Sequence, residues 1–404
     1  MKKKRNVSKH SFDICIIGGL GHVGLPLGIL FAKAGKKVAI YDINADVMQI
    51  VRRGEMPFLE PGAGAALKGV LNKNLFLSSD RDVIGRSHFL IIVIGTPVDE
   101  HLNPKFTIFK NFLDDISDQI RNDQHIILRS TVFPGTTEKI HRYLASLGKH
   151  PRLSFCPERI AQGKAMEELR SLPQIVASVD DASRKEVLEL FSCLTEETFV
   201  LSPTEAELAK LFTNVWRYIQ FAISNQFYQI TTDYGLDFYK IYHAITHRYP
   251  RAKGFPGAGF AAGPCLFKDT MQLAAFSNNS FFLGHAAMLI NEGLPNFIVQ
   301  RLKNKYALGE KTVGILGMAF KADNDDKRES LSYKLKKILD IEAKRVICSD
   351  VYIRERGFVS VRELKREADI IILGAPHREY AGLRFKTGKA LVDIWNFYGK
   401  GGLF

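Results

Sequence analysis

Short apolar runs alternate with helix-like stretches over the first part of the chain. Residues 12–18 (FDICIIG) have the pattern of a buried strand, a glycine-rich turn follows, and a helical stretch runs to Ala34. Gly35 is the residue type that ends a helix, and residues 37–41 form a second strand pattern. This order predicts the opening of a doubly wound, mostly parallel sheet. Further strands are predicted at residues 89–94, 124–128 and 152–155.

The spacing of apolar residues becomes helical at Thr204. Leu208, Leu211, Val215 and Ile219 recur at helical intervals, with no Gly or Pro between them. We therefore predict one long helix that links two domains, within a segment that is largely helical to about residue 248. A loop rich in Gly, Ala and Pro follows, and helices are expected again to about residue 306.

The last hundred residues repeat three landmarks of the first part in the same order. TVGILG repeats ICIIGG, RVICSD ending at Asp350 repeats VAIYD ending at Asp42, and DIIILGAP repeats LIIVIGTP. The sequence therefore predicts an α/β fold with two Rossmann-like doubly wound domains, joined by a long central helix and a helical middle domain. The predicted divisions are a basic tail at 1–11 and domains at 12–203, 204–306 and 307–404.

Composition and charge narrow the class of protein. The 404 residues are 46% hydrophobic and 25% charged, as in an ordinary soluble globular protein, and no apolar run approaches the ~18–20 residues of a membrane-spanning helix. The net charge of +13 predicts an anionic partner or simply a basic surface. The five cysteines are scattered without a CxxC pair, which argues against disulfides and zinc and suits a reducing cytoplasm. No apolar segment follows the basic start MKKKR, so we do not expect a secretory signal there.

The first glycine-rich turn predicts a dinucleotide site. Gly19, Gly21 and Gly24 follow a strand and open a helix, and Asp42 lies about 20 residues further on. Such glycines allow the tight turn, the approach of a pyrophosphate and close packing of helix on strand. Asp42 is placed to accept hydrogen bonds from the adenosine ribose and would repel the 2′-phosphate of NADP, so NAD is the preferred cofactor. The alternative is a tight turn that binds nothing.

Two further turns are expected on the same sheet edge. Thr96 lies in a Gly-Thr-Pro turn after one strand, and Thr131 lies in the segment STVFPGTT after the next. Ligands of open α/β sheets bind outside the carboxyl ends of the strands, so both threonines are candidate cofactor contacts. Turn chemistry alone would explain the same residue types.

The segment GPCLFKD around Cys265 carries the most specific chemistry. Cys265 lies at the predicted start of a helix, where the helix dipole and Lys268 favour a thiolate, and Asp269 lies one turn further along the same face. The alternative is an inert buried cysteine. Lys210 and Asn214 stand four residues apart on the long helix and are placed to hold an oxyanion, although a solvated helix face would have the same spacing.

Motifs along nearly the whole chain, from about Phe12 to Gly399, resemble those of one family. They are the glycine turn, STVFPGTT, CPERIAQGKAMEEL, EAELAKLFTN, GFAAGPCLFKDT, GMAFKADNDDKRES and APHREY…VDIWN. Together they resemble the UDP-glucose/GDP-mannose dehydrogenases, the nucleotide-sugar 6-dehydrogenases. The resemblance implies an NAD-binding domain, a helical dimerising domain and a C-terminal domain that holds the nucleotide of the sugar. Ala261 and Ala262 depart from the paired glycines that are frequent before the cysteine.

The resemblance also implies a reaction and the residues that perform it. Two successive NAD-dependent oxidations convert the C6 alcohol of a nucleotide sugar to an acid, through a thiohemiacetal and a thioester on Cys265. The catalytic residues it implies are Cys265, Lys210, Asn214, Asp269, Glu158 and Thr131. The cofactor contacts are Gly19, Gly21, His22, Val23, Gly24, Asp42, Thr96 and Thr131, and the substrate contacts are Glu158, Arg159, Lys210, Asn214, Arg251, Phe260, Gly263, Lys321 and Arg328.

Our expectation of the sugar rests on Arg159. The Pro-Glu-Arg sequence resembles the branch that acts on UDP-N-acetylhexosamines, especially UDP-N-acetylmannosamine, whereas UDP-glucose enzymes tend to have a hydrophobic pair there. We therefore expect a cytoplasmic UDP-N-acetylhexosamine 6-dehydrogenase, a homodimer or larger homo-oligomer, with no nucleic-acid partner and no metal. The alternatives are a UDP-glucose 6-dehydrogenase, a single-step hydroxyacid dehydrogenase, and a non-catalytic sensor of NAD or nucleotide sugars.

Overall fold

The computed structural model describes residues 10–95 and 106–400. The chain forms two compact units, one up to Thr213 and one from Asn214 onward. Each unit contains one sheet that is mainly parallel and is covered by helices on both faces. No helix in the described ranges is long and apolar enough to cross a membrane. The predicted domain limits at 203/204 and 306/307 remain predictions.

The sheet of the N-terminal unit has eight strands among the described residues, in the order β3-β2-β1-β4-β5-β6-β7-β8. Neighbouring strands are parallel except for the antiparallel pair β6 and β7. The strands are β1 (Phe12–Ile17), β2 (Val38–Tyr41), β3 (Leu75–Ser78), β4 (Ser87–Ile92), β5 (His125–Leu128), β6 (Arg152–Phe155), β7 (Gln174–Ser178) and β8 (Thr198–Leu201).

Helices cover both faces of this sheet because successive strand residues point to opposite sides. Ile14 and Ile16 face one core, while Cys15 and Ile17 face the other. The helices are α1 (Gly24–Lys33), α2 (Ala45–Arg52), α3 (Ala63–Val70), α4 (Asp82–Gly85), α5 (Phe106–Ile116), α6 (Thr136–Ser146), α7 (Ala165–Ser171) and α8 (Asp181–Phe191).

The five strands predicted in this unit are confirmed, and three were missed. β3, β7 and β8 have four or five residues each, and their apolar runs are interrupted or short. Thr198–Leu201 is an edge strand whose apolar run is only three residues long, and its two central residues, Phe199 and Val200, are exposed. Thr96 and residues 1–9 of the predicted tail lie outside the described residues.

The long central helix is confirmed as α9 (Pro203–Asp233), which has 31 residues. Gly235, with φ +66°, follows it and separates it from the next helix, since a left-handed conformation ends an α-helix. Three further helices follow in the helical segment: α10 (Phe238–Thr246), α11 (Leu266–Phe276) and α12 (Phe282–Lys305).

The second sheet repeats the strand order of the first, as the three shared landmarks predicted. Its order is β10-β9-β11-β12, all parallel, so β10-β9-β11 corresponds to β2-β1-β4 of the N-terminal unit. The strands are β9 (Thr312–Leu316), β10 (Arg345–Ser349), β11 (Ile370–Leu373) and β12 (Ala390–Val392), and the helices are α13 (Leu331–Glu342) and α14 (Val361–Glu367).

A histidine–glutamate cluster joins the amino ends of three strands in the N-terminal unit. Glu186 of α8 lies 2.8 Å from His125 Nδ1 and 2.7 Å from His88 Nε2, and it also pairs with Arg152. Burial lowers the pKa of His125 below its ordinary 6.5, against the hydrogen bond to Glu186. Although burial acts in the opposite direction, the hydrogen bonds from His125 and His88 lower the pKa of Glu186 to about 2.

We expect acid to destabilise the protein through this cluster. Below pH 6.5 the unfolded His125 takes up a proton that the buried imidazole resists, so the free energy of unfolding falls by at most about 1.4 kcal/mol per pH unit from this group. The contribution of Glu186 is present above pH 4.5 and is lost as the pH falls from 4.5 to 2.

Urea unfolding at pH 7.5 and 5 measures this effect. His125→Gln should lose less stability than the parent chain between these two values. His141→Gln, at an exposed position on α6, is the matched control and should keep the parental dependence. An equal pH dependence in all three proteins would contradict the assignment.

Candidate active site

The glycine turn after β1 has the geometry that a bound pyrophosphate requires. A Cβ on Gly24 would lie 2.5 Å from the Cα of Gly19, so only glycine permits α1 to pack this closely on the turn. Nothing lies within 4 Å of a Cβ built on Gly21, so this side of the turn is open. The first amides of α1, preceded by Val23, supply donors for an anion.

Asp42 follows β2 and joins the glycine turn to the next helix. Its Oδ2 accepts the N–H of Leu20 at 3.0 Å, and its Oδ1 accepts the N–H of Asn44 at 3.0 Å. Each oxygen keeps one lone pair, so the carboxylate still has two positions for ribose hydroxyls. The open turn and this carboxylate fit NAD, as predicted. His22 packs its ring against Phe58 at 4.0 Å between centroids.

The loop after β5 is held by a glutamate that the sequence analysis missed. Thr131 lies half-buried in this loop. Glu207 of α9 accepts hydrogen bonds from the N–H groups of Gly135 and Thr137, at 2.5 and 2.8 Å, and from the Thr137 hydroxyl. Burial raises the pKa of Glu207, against the hydrogen bonds from Thr137, which lower it. Glu207 therefore fixes the start of α6, and its only signal was its place in the motif EAELAKLFTN.

Glu158 and Arg159 lie in a loop that carboxylates hold from several directions. Oε1 of Glu158 accepts the N–H groups of Arg159 and Ile160 at 2.8 and 3.1 Å. Glu60 accepts the N–H of Gly163 at 3.0 Å, and Glu168 accepts that of Ala161 at 2.6 Å. The loop is therefore held by hydrogen bonds from its backbone N–H groups to these three carboxylates.

The Arg159 side chain is partly committed within this loop. Its Nη2 donates to the carbonyl of Pro173, and the residue is half-buried. Burial lowers the pKa of the guanidinium below its ordinary value, against the charge of Glu158. Since a guanidinium has five N–H donors, Arg159 retains donors for a ligand.

Lys210 and Asn214 lie one turn apart on α9, and both are buried, with 8% and 6% of their surface exposed. The solvated helix face considered from the sequence is therefore wrong. Asn214 Nδ2 donates to Asp269 Oδ2 at 2.6 Å, and Asp269 is completely buried. The amide keeps a second hydrogen for another acceptor.

Cys265 and Asp269 have the relative placement that the sequence predicted. Cys265 is the N-cap residue of α11 and is exposed, whereas Asp269 lies one turn further along the same helix. Asp269 Oδ1 has no hydrogen-bond partner within residues 10–95 and 106–400, and it lies 3.7 Å from Lys268 Nζ. A buried carboxylate oxygen in this state is a ready acceptor for water.

The loop before Cys265 packs on the segment that contains Arg328. The Gly263 N–H donates to the Glu329 carbonyl at 3.2 Å, and a Cβ on Gly263 would lie 2.6 Å from the Phe320 ring. Gly263 also has φ +104°, a conformation that other residues rarely adopt. Phe260 is 5% exposed and packs edge-on against Trp395 in the core of the C-terminal unit, so its side chain supports this loop from behind.

Asp326 orients Arg328. Its carboxylate accepts from Nε at 2.9 Å and from Nη2 at 2.6 Å. These hydrogen bonds raise the pKa of Arg328, and the charge of Cys265 acts in the same direction. The segment DNDDKRE (residues 323–329) is therefore an ordered turn, with Asn324 and Asp326 buried and Lys327, Arg328 and Glu329 exposed. Lys321 lies in the same turn, half-buried, with its Nζ 5.7 Å from the Phe320 ring centroid.

Asp350 and His377 hold this turn, although neither was among the predicted site residues. Asp350 Oδ2 accepts the N–H groups of Met318 and Ala319 at 2.6 and 3.1 Å and lies 3.2 Å from His377 Nε2. His377 Nδ1 accepts the N–H of Asp323, so Nε2 carries the proton that is donated to Asp350. Although burial opposes it, the hydrogen bond from His377 lowers the pKa of Asp350.

Arg251 lies apart from these groups on the surface of the C-terminal unit. It is exposed, and its guanidinium stacks on the Tyr249 ring at 4.9 Å while Nε donates to the Tyr249 hydroxyl at 2.8 Å. Within the C-terminal unit the structure thus brings Asn214 to Asp269 and the Gly263 loop to the Arg328 turn, but it leaves Arg251 outside this network.

The chain matches all three domains of one protein family. The NAD-binding domain of the UDP-glucose/GDP-mannose dehydrogenases matches residues 12–195, their central domain matches 204–292, and their UDP-binding domain matches 314–400.

Named relatives and solved structures agree with this match. A UDP-N-acetyl-D-mannosamine dehydrogenase of Pyrococcus horikoshii is 30% identical over 92% of each chain. A solved UDP-D-ManNAc dehydrogenase structure from Pyrococcus horikoshii has a TM-score of 0.86 and 28% identity, covering 94% of this chain and 93% of that one. A UDP-glucose dehydrogenase from Pyrobaculum islandicum also has a TM-score of 0.86, with 25% identity, covering 96% and 94%. The chain belongs to the UDP-glucose/GDP-mannose dehydrogenase family and is an NAD-dependent UDP-sugar dehydrogenase.

Proposed function

We propose that the chain oxidises the C6 hydroxyl of a UDP-N-acetylhexosamine to the carboxylate in two steps, through a covalent intermediate on Cys265. The observation that carries the proposal is the pairing of an exposed thiol at the start of α11 with a buried carboxylate one turn later, since Asp269 retains an oxygen without a hydrogen-bond partner among the described residues. A single-step hydroxyacid dehydrogenase has no use for this thiol, and a sensor needs no nucleophile.

The first step forms an aldehyde. The C6 hydroxyl gives up its proton to a base, and the C6 hydrogen leaves as a hydride. A separate NAD molecule, bound at the glycine turn, would supply the hydride acceptor in each of the two oxidations. We propose that Lys210 and the free hydrogen of the Asn214 amide hold the oxygen as its charge changes, because buried donors stabilise an alkoxide far better than water does. Thr131 and Glu158 belong to the water and proton-transfer groups of this step.

The second step uses the thiol. The Cys265 thiolate adds to the aldehyde carbon and forms a C–S bond, and loss of a second hydride from C6 turns the thiohemiacetal into a thioester. Water then adds to the thioester carbonyl, the C–S bond breaks, and the uronate leaves while the thiolate is restored. We propose that Asp269 Oδ1, which has no hydrogen-bond partner among the described residues, accepts a proton from this water. Overall, one UDP-sugar, one water and two NAD⁺ give one UDP-uronate, two NADH and three protons.

The choice of sugar rests on Arg159 and on the relatives. Arg159 keeps donors that suit an N-acetyl carbonyl, and the Pyrococcus horikoshii relative acts, by its name, on UDP-N-acetyl-D-mannosamine. The backbone does not discriminate between sugars, since the Pyrobaculum islandicum UDP-glucose dehydrogenase has the same TM-score of 0.86. UDP-N-acetylmannosamine is therefore our first choice and UDP-N-acetylglucosamine the second. Lys321, Arg328 and Arg251 are our candidates for the UDP phosphates.

We also propose a homodimer formed along α9. Trp216, Ile223, Phe227 and Ile230 recur at helical spacing on this helix, and between 39% and 60% of each residue is exposed. An apolar row of this length favours burial against a second copy of the chain. The free cysteines of the described residues support our expectation of a cytoplasmic enzyme, because a reactive thiol needs a reducing compartment.

A panel of UDP-sugars tests the proposed activity. With NAD, the purified protein should release two NADH per UDP-N-acetylmannosamine consumed, and it should turn over UDP-glucose at least about tenfold more slowly, since a difference of about 1.4 kcal/mol in binding the transition state suffices for this. NADH absorbance and the mass of the sugar product are measured together. UDP-glucose as the sole substrate would overturn the choice of sugar, and one NADH per sugar would overturn the two-step scheme.

Cys265→Ser should retain binding of NAD and the UDP-sugar but lose the release of two NADH, because serine is a far weaker nucleophile than a thiolate. Steady-state NADH release and calorimetric binding of both ligands measure this. Cys193→Ser, which replaces another exposed thiol in the N-terminal unit, is the matched control and should keep parental activity. NADH release at the parental rate in Cys265→Ser would contradict the covalent intermediate.

Asp269→Asn should slow hydrolysis of the thioester by about 10²–10⁴-fold, because the amide is a poor acceptor for the water proton. The variant should show a burst of two NADH per active site followed by a slow phase, and mass spectrometry of the intact protein should detect the acylated chain. Asp233→Asn serves as the control, because Asp233 is an exposed residue of α9 that pairs with Arg301 of α12. A slow rate without a burst would assign Asp269 to an earlier step.

A further inference from the structure

Arg129 is the largest charged side chain in the buried interior of the N-terminal unit. It directly follows β5, and only 1% of its surface is exposed. Nη1 donates to the Cys156 carbonyl at 3.1 Å and to Gln174 Oε1 at 3.0 Å, and Nη2 pairs with Glu158 Oε2. A buried guanidinium is retained in a protein only with such partners, because its desolvation is costly.

The Arg129 guanidinium limits the number of further hydrogen bonds that the Glu158 carboxylate can accept. Oε1 already accepts two backbone N–H groups, from Arg159 and Ile160, which fills its two lone pairs. Oε2 accepts from Arg129, which leaves one lone pair on this oxygen. The Glu158 side chain is 11% exposed, so part of it reaches solvent. Arg129 thus determines which single direction of the carboxylate is open.

We infer that Arg129 is a positioning residue for Glu158, and that it keeps one carboxylate lone pair of Glu158 aimed at the water or hydroxyl that this residue serves in the oxidation. The inference rests on the role proposed above for Glu158. Arg129 itself touches no reacting atom. A lysine would not replace it, because only the planar fork reaches Cys156, Gln174 and Glu158 at the same time.

The competing explanation is purely structural. Through Cys156 and Gln174, Arg129 ties the ends of β5 and β6 to the start of β7, and its guanidinium lies 5.2 Å from the Phe191 ring centroid. If Arg129 has only this role, its replacement would lower the free energy of unfolding. The effect of the replacement on turnover would then be independent of Glu158. A cycle of single and double variants separates the two explanations.

The experiment compares Arg129→Met, Arg129→Lys, Glu158→Gln and the double variant Arg129→Met/Glu158→Gln, with NAD and the best UDP-sugar of the panel. Arg129→Met should lower kcat about 10- to 100-fold with less change in KM, since a misplaced group acts mainly on the reaction step. The kcat of Arg129→Lys should lie between that of Arg129→Met and that of the parent. In the Glu158→Gln background the Arg129→Met substitution should cost nothing further.

Arg152→Met is the matched control, since it also removes an arginine that pairs with a glutamate, Glu186, in the same unit. It should leave kcat and KM unchanged.

Each result decides one way. Multiplicative losses of kcat in the double variant would make Arg129 structural and overturn the inference. Parental kinetics in Glu158→Gln would overturn the proposed role of Glu158 and the inference that rests on it, whereas an impaired Glu158→Gln with a parental Arg129→Met would overturn the inference alone. If Arg129→Met does not fold, as judged by circular dichroism and NADH binding, the same cycle with Arg129→Lys decides.

Discussion

The backbone N–H groups of the turns between strands and helices are the constraint on which this structure depends. A doubly wound domain binds its ligands at these turns, and each amide withdrawn from water needs an acceptor. Here carboxylates provide the acceptors. Asp42 serves the first turn, Glu158 the loop after β6, Glu207 of α9 the loop after β5, and Asp350 the turn after β9. Because both oxygens of a carboxylate accept several hydrogen bonds, a single residue fixes a whole turn.

Asp42 and Asp350 follow corresponding strands of the two sheets, and both accept backbone N–H groups, but they differ in what they can still bind. Asp42 accepts two backbone N–H groups and keeps two lone pairs for a ligand. Asp350 accepts four, from Met318, Ala319, Tyr352 and Ile353, and in addition the imidazole of His377, with its side chain fully buried. The second aspartate therefore has no capacity for a ribose, and its work is to hold the turn that contains Lys321 and Arg328.

The sequence separation between hydrogen-bonded partners explains which parts of the site could be predicted from the sequence. Cys265 and Asp269 were found because they lie one turn apart on one helix, and Asp42 because its distance from the glycine turn is characteristic. Arg129, Glu207 and His377 were missed because their partners lie 29, 70 and 27 residues away, and local patterns carry no sign of such pairs. The missed strands β3, β7 and β8 have the same origin, since short strands depend on neighbours that the sheet supplies.

The carboxylate-held turns also bear on selection of the sugar. Arg159 is the residue on which we base the proposed choice of an N-acetylhexosamine. Its direction comes from elsewhere, because Pro173 accepts from its guanidinium, and Glu158, Glu60 and Glu168 hold the backbone around it. A guanidinium on a free loop would spend binding energy on becoming ordered, whereas this one is ordered before the substrate arrives. In the function proposed above, selectivity is therefore a property of the whole loop and its carboxylate supports, and Arg159 is our candidate for the part of it that meets the sugar.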